Sequence, residues 1–300
     1  MTENKKANMY MIGEMILWSL FPVVGMLGLN GVPAIVSLFW VNLFATLFFV
    51  GMTIFKGKLF ELKNKQAWIY TIGTAIFIGV IFYGLFFYAL GKTTPANAAI
   101  VTLFEIVPAY IFFQILKKEH FSKKHMLGIL LATAAALIVL LPKAGQVNTG
   151  DLIIIIAVFF PPFGNWCQQQ TRKIVSTESA LFMRHVLSIP FLFLLAIIFE
   201  TPVANYNING VIGWLLLNGI VIFGISKIFW VEAIHRMSVT RGLALNSLNP
   251  IFTMLYAWIL ISQKPTWIQV LSLPLLIVSV LILTDVDFFK KRNESVELID

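Results

Sequence analysis

The sequence is short of charge, and this shortage excludes most classes of soluble protein. Only 12% of its 300 residues are charged, whereas 59% are hydrophobic; a soluble domain carries about 25% charged residues. So few charges cannot cover a surface that faces water on all sides. A cytosolic enzyme, a disordered protein and a secreted disulfide scaffold are therefore excluded.

Cysteine and catalytic motifs are scarce as well. Cys167 is the single cysteine, which excludes an internal disulfide, and it lies in no metal-ligand spacing. The sequence has no Walker A motif, no HExxH zinc motif and no GxSxG elbow. We therefore expect no bound metal and no cofactor, and we expect that the protein is not an enzyme.

Long apolar runs separated by short polar breaks dominate the chain. A bilayer core of about 30 Å requires about 20 apolar residues in a helix, and only helices or closed barrels satisfy the backbone in lipid. Strand-like alternation is absent, so we predict an all-α membrane protein. Its ten predicted transmembrane helices cover residues 9–29, 33–55, 67–90, 95–116, 125–141, 152–171, 179–199, 210–234, 241–261 and 266–284.

Basic residues are distributed unevenly between the predicted loops. The net charge of +8 predicts membrane orientation here, rather than a nucleic-acid partner. With both termini in the cytoplasm, only Lys92, Lys143 and Lys264 fall in outer loops. The cytoplasmic segments then hold Lys5, Lys6, Lys56, Lys58, Lys63, Lys65, Lys117, Lys118, Lys123, Lys124, Arg172, Lys173, Arg236, Arg241, Lys290, Lys291 and Arg292. This bias predicts a multi-pass protein of the cytoplasmic cell membrane, in contact with the lipid bilayer.

A weak internal repeat relates the two halves of the chain. A shift of 144 residues places Thr102 on Asn246 and Glu105 on Asn249. Each half contains five predicted spans, and because five is odd, the second half enters the membrane from the opposite side. We therefore predict two inverted five-helix repeats, 1–146 and 147–288, followed by a cytoplasmic polar tail, 289–300. Inverted repeats with a site near the midplane are typical of secondary transporters.

Three segments resemble a known family of membrane carriers. They are residues 88–100 (YALGKTTPANAAI), the stretch from Glu232-Ala233-Ile234 to Asn249-Pro250-Ile251-Phe252, and Trp18-Ser19-Leu20-Phe21. Together they resemble the drug/metabolite transporter (DMT) superfamily, in its ten-helix EamA-type branch. The resemblance implies a carrier that works by alternating access.

The resemblance also implies an arrangement of the ten spans. The third, fourth, eighth and ninth spans, with parts of the first and sixth, surround the cavity. The fifth and tenth lie outside it, where they offer a homodimer contact. Small residues at helical spacing, such as Gly128 and Ala132, agree with close helix packing there. Ordinary packing within the bundle is the alternative to a homodimer.

Three charged residues inside predicted spans are candidates for binding. A charge at the bilayer centre costs about 2.5–3.5 kcal/mol even on lenient scales. Glu105 lies near the middle of the fourth span, beside Pro108, where a buried carboxyl can take up a proton near neutral pH. A structural, protonated glutamate is the alternative. Lys227 requires an anionic partner, either Glu105, Glu14 or a substrate, unless it snorkels; Glu14 itself is shallow enough to reach the inner interface.

Amide side chains form two further polar faces. Asn165 and Gln168 lie three residues apart in the sixth span, after a Pro-Pro pair that should break or bend the helix. Asn246 and Asn249 form a matching face in the ninth span. Both faces offer donors and acceptors to a polar ligand, although hydrogen bonding between helices would explain them equally well.

Aromatic residues provide the predicted wall of the site. Tyr83 and Phe87 lie on the third span at the depth that the repeat assigns to Lys227, and Trp18 opens the first span. Their rings suit an organic ligand or a cation. Arg184 and His185, by contrast, are expected to anchor the cytoplasmic end of the seventh span.

These features predict a secondary active transporter for a small polar metabolite. A zwitterion such as an amino acid fits best, with Glu105 receiving its cationic group or a proton and Lys227 its carboxylate. We expect export, with proton coupling as an option at Glu105. A nucleoside-like metabolite or an aromatic drug is the alternative cargo. The sequence supports a channel or an intramembrane enzyme less well.

Overall fold

The computed structural model describes residues 3–117, 123–140, 148–200 and 206–284. Within these ranges every regular element is helical, and no β-strand occurs. Ten helical segments follow along the chain: α1 (Glu3–Gly28), α2 (Ala34–Phe55), α3 (Lys65–Leu90), α4 (Pro95–Leu116), α5 (Lys123–Leu140), α6 (Thr149–Ile174), α7 (Thr177–Phe199), α8 (Ile208–Arg236), α9 (Val239–Ile261) and α10 (Trp267–Thr284). The predicted all-α membrane fold is confirmed.

Eight of these segments are long and apolar enough to cross a membrane. The apolar parts of α5 and α10, Met126–Ala135 and Trp267–Ile282, are shorter. Each segment lies where a span was expected, but membrane crossing by α5 and α10 stays a prediction. The predicted repeat boundary at 146 and the predicted tail at 289–300 lie outside the described residues.

Prolines produce the breaks inside α1 and α6. The helix of α1 stops at Trp18 and resumes at Phe21, with Pro22 in its new first turn. The helix of α6 stops at Ala157 and resumes at Pro161. Proline lacks the backbone N–H that a helix interior requires and fits only in the first turn. Of the break or bend predicted at the Pro-Pro pair, the structure therefore contains the break, and the first repeat has a matching one.

Prolines also tighten the middle of α4 and α9. Leu103–Glu105 and Asn246–Leu248 are 3-10 turns. Each turn contains the residue four positions before a proline, Pro108 or Pro250. The proline cannot donate to the carbonyl of that residue, so the regular helical bond is lost there. Both repeats thus carry the same irregularity at the depth of the predicted site.

α3 and α8 each widen into a π-helical stretch, at Ala75–Phe82 and Asn218–Ser226. The two stretches coincide under the 144-residue shift found in the sequence, and π-helical turns are frequent at functional sites. A glycine allows close packing in the first of them, because a Cβ atom at Gly79 would lie 2.1 Å from Ser188 Oγ of α7. The close approach of α3 to α7 therefore requires glycine at position 79.

The helix packing follows the same symmetry. α1 packs on α8 and α6 packs on α3, while α2 packs on α7, α4 on α9 and α5 on α10. Moving each helix by five positions interchanges the first two of these pairs and converts each of the other three into itself. Two five-helix repeats around an approximate twofold axis require this pattern, and their odd helix number inverts one repeat relative to the other.

The small residues of α5 serve packing within the chain. Ser279 Oγ of α10 donates a 2.6 Å hydrogen bond to the carbonyl oxygen of Gly128, and Ala132 is fully buried. This contact corresponds to the alternative that the sequence left open. A homodimer through α5 and α10 stays a prediction.

Candidate functional site

A cavity lies between the two halves of the chain. Helices α1, α3 and α4 line it from the first half, and α6, α7, α8 and α9 line it from the second. Of the predicted site residues, nine line this cavity: Glu14, Trp18, Tyr83, Glu105, Asn165, Gln168, Lys227, Asn246 and Asn249.

Phe87 is the predicted site residue that does not line the cavity. It is fully buried and packs against Phe21 and Phe223 in the aromatic core. One helical turn separates Phe87 from Tyr83, and this turn moves the ring about 5 Å along the axis, past the cavity. Phe87 therefore supports the site from the core.

Glu14 and Lys227 form a buried ion pair in the cavity wall. Lys227 Nζ lies 3.0 Å from Glu14 Oε1, and Asn246 Nδ2 donates to the other carboxylate oxygen at 2.6 Å. The ammonium also lies 3.2 Å from the centre of the Trp18 ring. A pair this deep can offset its desolvation only through such additional contacts. Among the partners that the sequence allowed for Lys227, the structure contains Glu14.

Glu105 is approached by a chain of hydrogen bonds from α8. Trp230 Nε1 donates to Asn165 Oδ1 at 3.1 Å, and Asn165 Nδ2 donates to Glu105 Oε1 at 3.5 Å. Glu105 is buried and has no ion pair with any described residue. An uncompensated carboxylate is costly in a low-dielectric site, so a proton or a cation has to balance it.

Arg184 is a cavity residue that the sequence reasoning missed. Its Nη1 donates to Gln168 Oε1 at 3.0 Å, and its Nη2 lies 2.9 Å from His185 Nε2. His185 Nδ1 in turn lies 2.8 Å from Asn42 Oδ1. These contacts form one hydrogen-bond chain from the cavity to α2.

The expectation that Arg184 and His185 anchor the cytoplasmic end of α7 is wrong. The two residues are 2% and 1% exposed, because α2 and α3 cover this face of α7. Glu14, expected to reach the inner interface, is 1% exposed, since α8 packs along α1. Hydropathy gives the position of a residue along a helix but not the face that a neighbour covers. For Arg184 the available signal was depth, since it lies roughly 10 Å along the axis from Thr177.

A second cavity adjoins the first. The two cavities share Trp18, Thr102, Leu103 and Asn249 in their linings. Ser19 Oγ, at the break in α1, donates to Asn249 Oδ1 at 3.2 Å. The wall between the cavities is therefore built where α1, α4 and α9 are irregular.

A polar cluster joins the repeats at the end of the bundle where α6 begins. Asp151 accepts hydrogen bonds from Thr93 Oγ1 and from Asn97 Nδ2, the latter at 2.8 Å. Gln269 Nε2 of α10 donates to Asn97 Oδ1 at 2.7 Å. Sequence reasoning did not single out these residues, because polar side chains at the ends of spans are common.

A second cluster lies at the opposite end, where α6 finishes. Glu232 accepts hydrogen bonds from Arg172 and Thr177, and it also pairs with Arg236. Arg236 Nε donates to Glu3 Oε2 of the first repeat at 2.9 Å. Polar contacts thus join the two halves at both ends of the cavity. In the part of the chain that the structure describes, no group of three acidic, histidine or cysteine residues could hold a metal ion.

The EamA-like transporter family matches residues 5–141 and 148–285, which together cover both halves. The chain belongs to this family. The resemblance to the DMT superfamily is thereby confirmed, and the protein is a membrane-embedded transporter with many membrane-spanning helices.

Two known proteins are similar to this EamA-family transporter. An uncharacterized transporter of Synechocystis sp. is 23% identical over 248 residues, which are 79% of this chain and 70% of that protein. A solved crystal structure superposes with a TM-score of 0.70 at 17% identity, covering 93% of this chain and 96% of that one. At such an identity the likeness shows the fold alone.

The helices around the cavity of this EamA-family transporter are largely those that the resemblance implied. α3, α4, α8 and α9 line it, together with parts of α1 and α6, and α5 and α10 do not. α7 is an addition, through Arg184. The cavity thus presents two cations, two carboxyl groups and four amides to a ligand.

Proposed function

We propose that the protein is a secondary active transporter that exchanges a proton for a small zwitterionic metabolite, such as an amino acid, by alternating access. The observation that carries the proposal is the cavity between the two repeats, which is lined by acidic side chains of the first repeat and basic side chains of the second. Polar contacts close the bundle at both ends, and breaking the contacts at one end would open the cavity to that side.

Glu105 is the proposed site of coupling. It is buried and has no cationic partner among the described residues. It therefore requires either a proton or the ammonium group of a cargo molecule, and the two compete for one carboxyl group. Competition of this kind couples their movements in opposite directions. Because a proton gradient across a bacterial-type membrane is directed inward, the proposal assigns export to the cargo.

The four amides are the proposed orienting groups. Asn165 lies next to Glu105, and Gln168 lies next to Arg184. Asn246 supports Glu14, and Asn249 lies on the wall shared by the two cavities. The prediction that Lys227 receives the carboxylate of the cargo stays a prediction. In the structure the ammonium group of Lys227 forms an ion pair with Glu14.

The test is flux in proteoliposomes that contain the purified protein and an imposed pH gradient. A panel of radiolabelled neutral amino acids is the probe, in vesicles of known protein orientation. We expect Glu105→Gln to abolish flux driven by the pH gradient while exchange of labelled for unlabelled amino acid continues. Glu61→Gln is the matched control, because that carboxylate pairs with Lys58 outside the cavity lining. Unchanged gradient-driven flux in Glu105→Gln would remove Glu105 from the coupling mechanism.

A flat aromatic cargo is the second candidate. Trp18, Phe82, Tyr83 and Trp230 contribute rings to the lining, and such rings stack on nucleobases and aromatic drugs. Nucleosides and planar aromatic amines in the same flux panel distinguish this candidate. Saturable flux of these compounds, without flux of any amino acid, would replace the zwitterion with an aromatic cargo.

A further inference from the structure

We propose that Arg184, together with Gln168, binds the carboxylate group of the transported molecule. The inference rests on the proposed function in that it takes the central cavity as the cargo site. It goes further by assigning the anionic half of the cargo to α7 rather than to Lys227. It also restricts the cargo to molecules that carry a carboxylate.

The balance of charge in the cavity separates the two cations. Lys227 already has a carboxylate at 3.0 Å, that of Glu14. Arg184 is 2% exposed, and no acidic side chain among the described residues lies within ion-pair distance of it. A buried guanidinium is rarely left without an anion, because desolvation of an unpaired charge is costly. Arg184 is therefore the cation that lacks its anion.

The protein partners of Arg184 are neutral. Asn42 Nδ2 donates to the carbonyl oxygen of Leu38 at 2.9 Å, so its Oδ1 is available to accept from His185 Nδ1. This assigns the proton of His185 to Nδ1 and leaves Nε2 as an acceptor for Arg184 Nη2. The chain fixes the guanidinium in place without neutralising it. A fixed, uncompensated guanidinium is prepared to bind an anion.

One donor in each of the Arg184 and Gln168 side chains remains without a partner. Arg184 Nε and Gln168 Nε2 are buried, and neither has a hydrogen-bond partner among the described residues. The two side chains are already joined through Arg184 Nη1 and Gln168 Oε1, and both line the cavity. A carboxylate offers two acceptor oxygens and is the planar group that a guanidinium binds best. It would satisfy the orphan donors and the charge together.

This assignment defines the orientation of a zwitterion in the cavity. Its carboxylate lies at Arg184 and Gln168, and its ammonium group faces Glu105, the carboxyl group without a cation. A purely cationic cargo would leave Arg184 uncompensated, and the inference excludes it. The pair of Glu14 and Lys227 then belongs to the protein in this state and not to the cargo.

The test compares carboxylates with their uncharged analogues. Amino acids, simple monocarboxylates and the corresponding carboxamides are titrated against the purified full chain, and binding is measured calorimetrically and by thermal shift. We expect the wild type to bind the best carboxylate at least about tenfold more tightly than its carboxamide, since a charged hydrogen bond is lost in the amide. Absence of carboxylate binding, or equal affinity for acid and amide, would overturn the inference.

Variants assign the preference to Arg184. We expect Arg184→Gln to reduce the acid-to-amide preference to about one, and Arg184→Lys to retain part of it. Arg241→Gln, which removes an arginine outside the cavity lining, is the matched control and should keep the wild-type ratio. If Arg184→Gln is folded and keeps that ratio, Arg184 does not bind the carboxylate. If Arg184→Gln does not yield folded protein, the inference is tested by Gln168→Leu and by the wild-type titrations. Gln168→Leu removes one donor to the cargo carboxylate, and the wild-type titrations measure the preference for a carboxylate directly.

Two further arms separate the alternatives. Titrations in isethionate buffer, which contains no carboxylate, and in chloride buffer distinguish a cargo carboxylate from a small inorganic anion; chloride binding that no organic carboxylate displaces would contradict the inference. Flux measurements on the same variants test the proposed function independently. Carboxylate binding without any flux would contradict the transport proposal alone, whereas amino-acid flux with an unchanged acid-to-amide ratio in Arg184→Gln would contradict this inference alone.

Discussion

At the scale of single residues, the structure distinguishes charges that the sequence could only count. Lys227 and Glu14 are separated by 213 positions, yet they form one ion pair that is closed by Asn246 and Trp18. Arg184 and Glu105 have no such partner among the described residues. The paired charges hold the two repeats together, while the unpaired ones remain available for a ligand.

The ion pair leads to a prediction about stability. Lys227→Met leaves a buried carboxylate without its cation, and we expect a loss of about 3–5 kcal/mol. The double variant Glu14→Gln/Lys227→Met removes both charges and should recover most of this loss. Thermal unfolding in detergent, followed by tryptophan fluorescence, measures the difference.

Lys6→Met is the matched control for this comparison. Lys6 pairs with Glu3 at the exposed start of α1, and surface pairs of this kind contribute little. We expect its unfolding temperature to stay near that of the wild type. If the double variant is less stable than Lys227→Met, the unpaired Glu14 carboxylate is not the cause of the stability loss in Lys227→Met.

At the scale of the helices, irregular backbone coincides with the cavity. The breaks in α1 and α6, the 3-10 turns in α4 and α9, and the π-helical stretches in α3 and α8 occur in repeat-related pairs. Trp18, Glu105, Asn246 and Lys227 all lie at or beside such points. Carbonyls and amides released from regular bonding can exist at this depth only where they line a cavity or are covered by protein.

Close packing of α3 on α7 leads to a second prediction. In Gly79→Ala the new methyl group would lie 2.1 Å from Ser188 Oγ, so we expect a loss of about 1–3 kcal/mol from overpacking. Adding Ser188→Ala removes the contacting oxygen and should restore part of the stability. The measurement is again the unfolding temperature of the purified protein.

Gly51 provides the control for this substitution. It lies in α2, and a Cβ atom there would meet no neighbour within 4 Å. We expect Gly51→Ala to be neutral or stabilising by about 0.4–1 kcal/mol, since alanine restricts the unfolded chain. Equal losses at positions 51 and 79 would indicate a general effect of the substitution rather than the predicted collision.

At the scale of the whole molecule, the two repeats build one site that neither contains alone. Glu105 and Glu14 come from the first repeat, and Lys227, Arg184 and the Asn165 amide come from the second. Polar clusters join the repeats at each end of the bundle. Opening one end while keeping the other closed would give access to the same cavity from alternate sides.

The inverted arrangement leads to a prediction about topology. In a Cys167→Ser background, we expect Lys92→Cys to react with a membrane-impermeant maleimide added to whole cells. His235→Cys, at nearly the equivalent position of the second repeat and exposed in the structure, should react only after the membrane is made permeable. Labelling of both positions from the same side would contradict the inverted repeats.

The sequence by itself determined the position of the apolar helices and the residues that break them. Apolar length, proline and glycine act locally, so the helices α1 to α10 lie where the spans were predicted. It also indicated the relation between the halves, because equivalent positions carry similar constraints. Nine predicted site residues line the cavity. A polar group deep in an apolar helix is costly in lipid, so it faces the bundle interior or a cavity.

The tertiary structure alone decided which face of each helix meets the cavity and which charges meet each other. Phe87 lies in the core, whereas Arg184 lies at the cavity, although the sequence reasoning placed Phe87 at the site and Arg184 outside it. A hydropathy profile averages over all faces of a helix, and the face turned inward depends on neighbours that are distant in sequence. The partners of Lys227 and Arg184 likewise come from other helices, so only packing of the complete bundle could specify them.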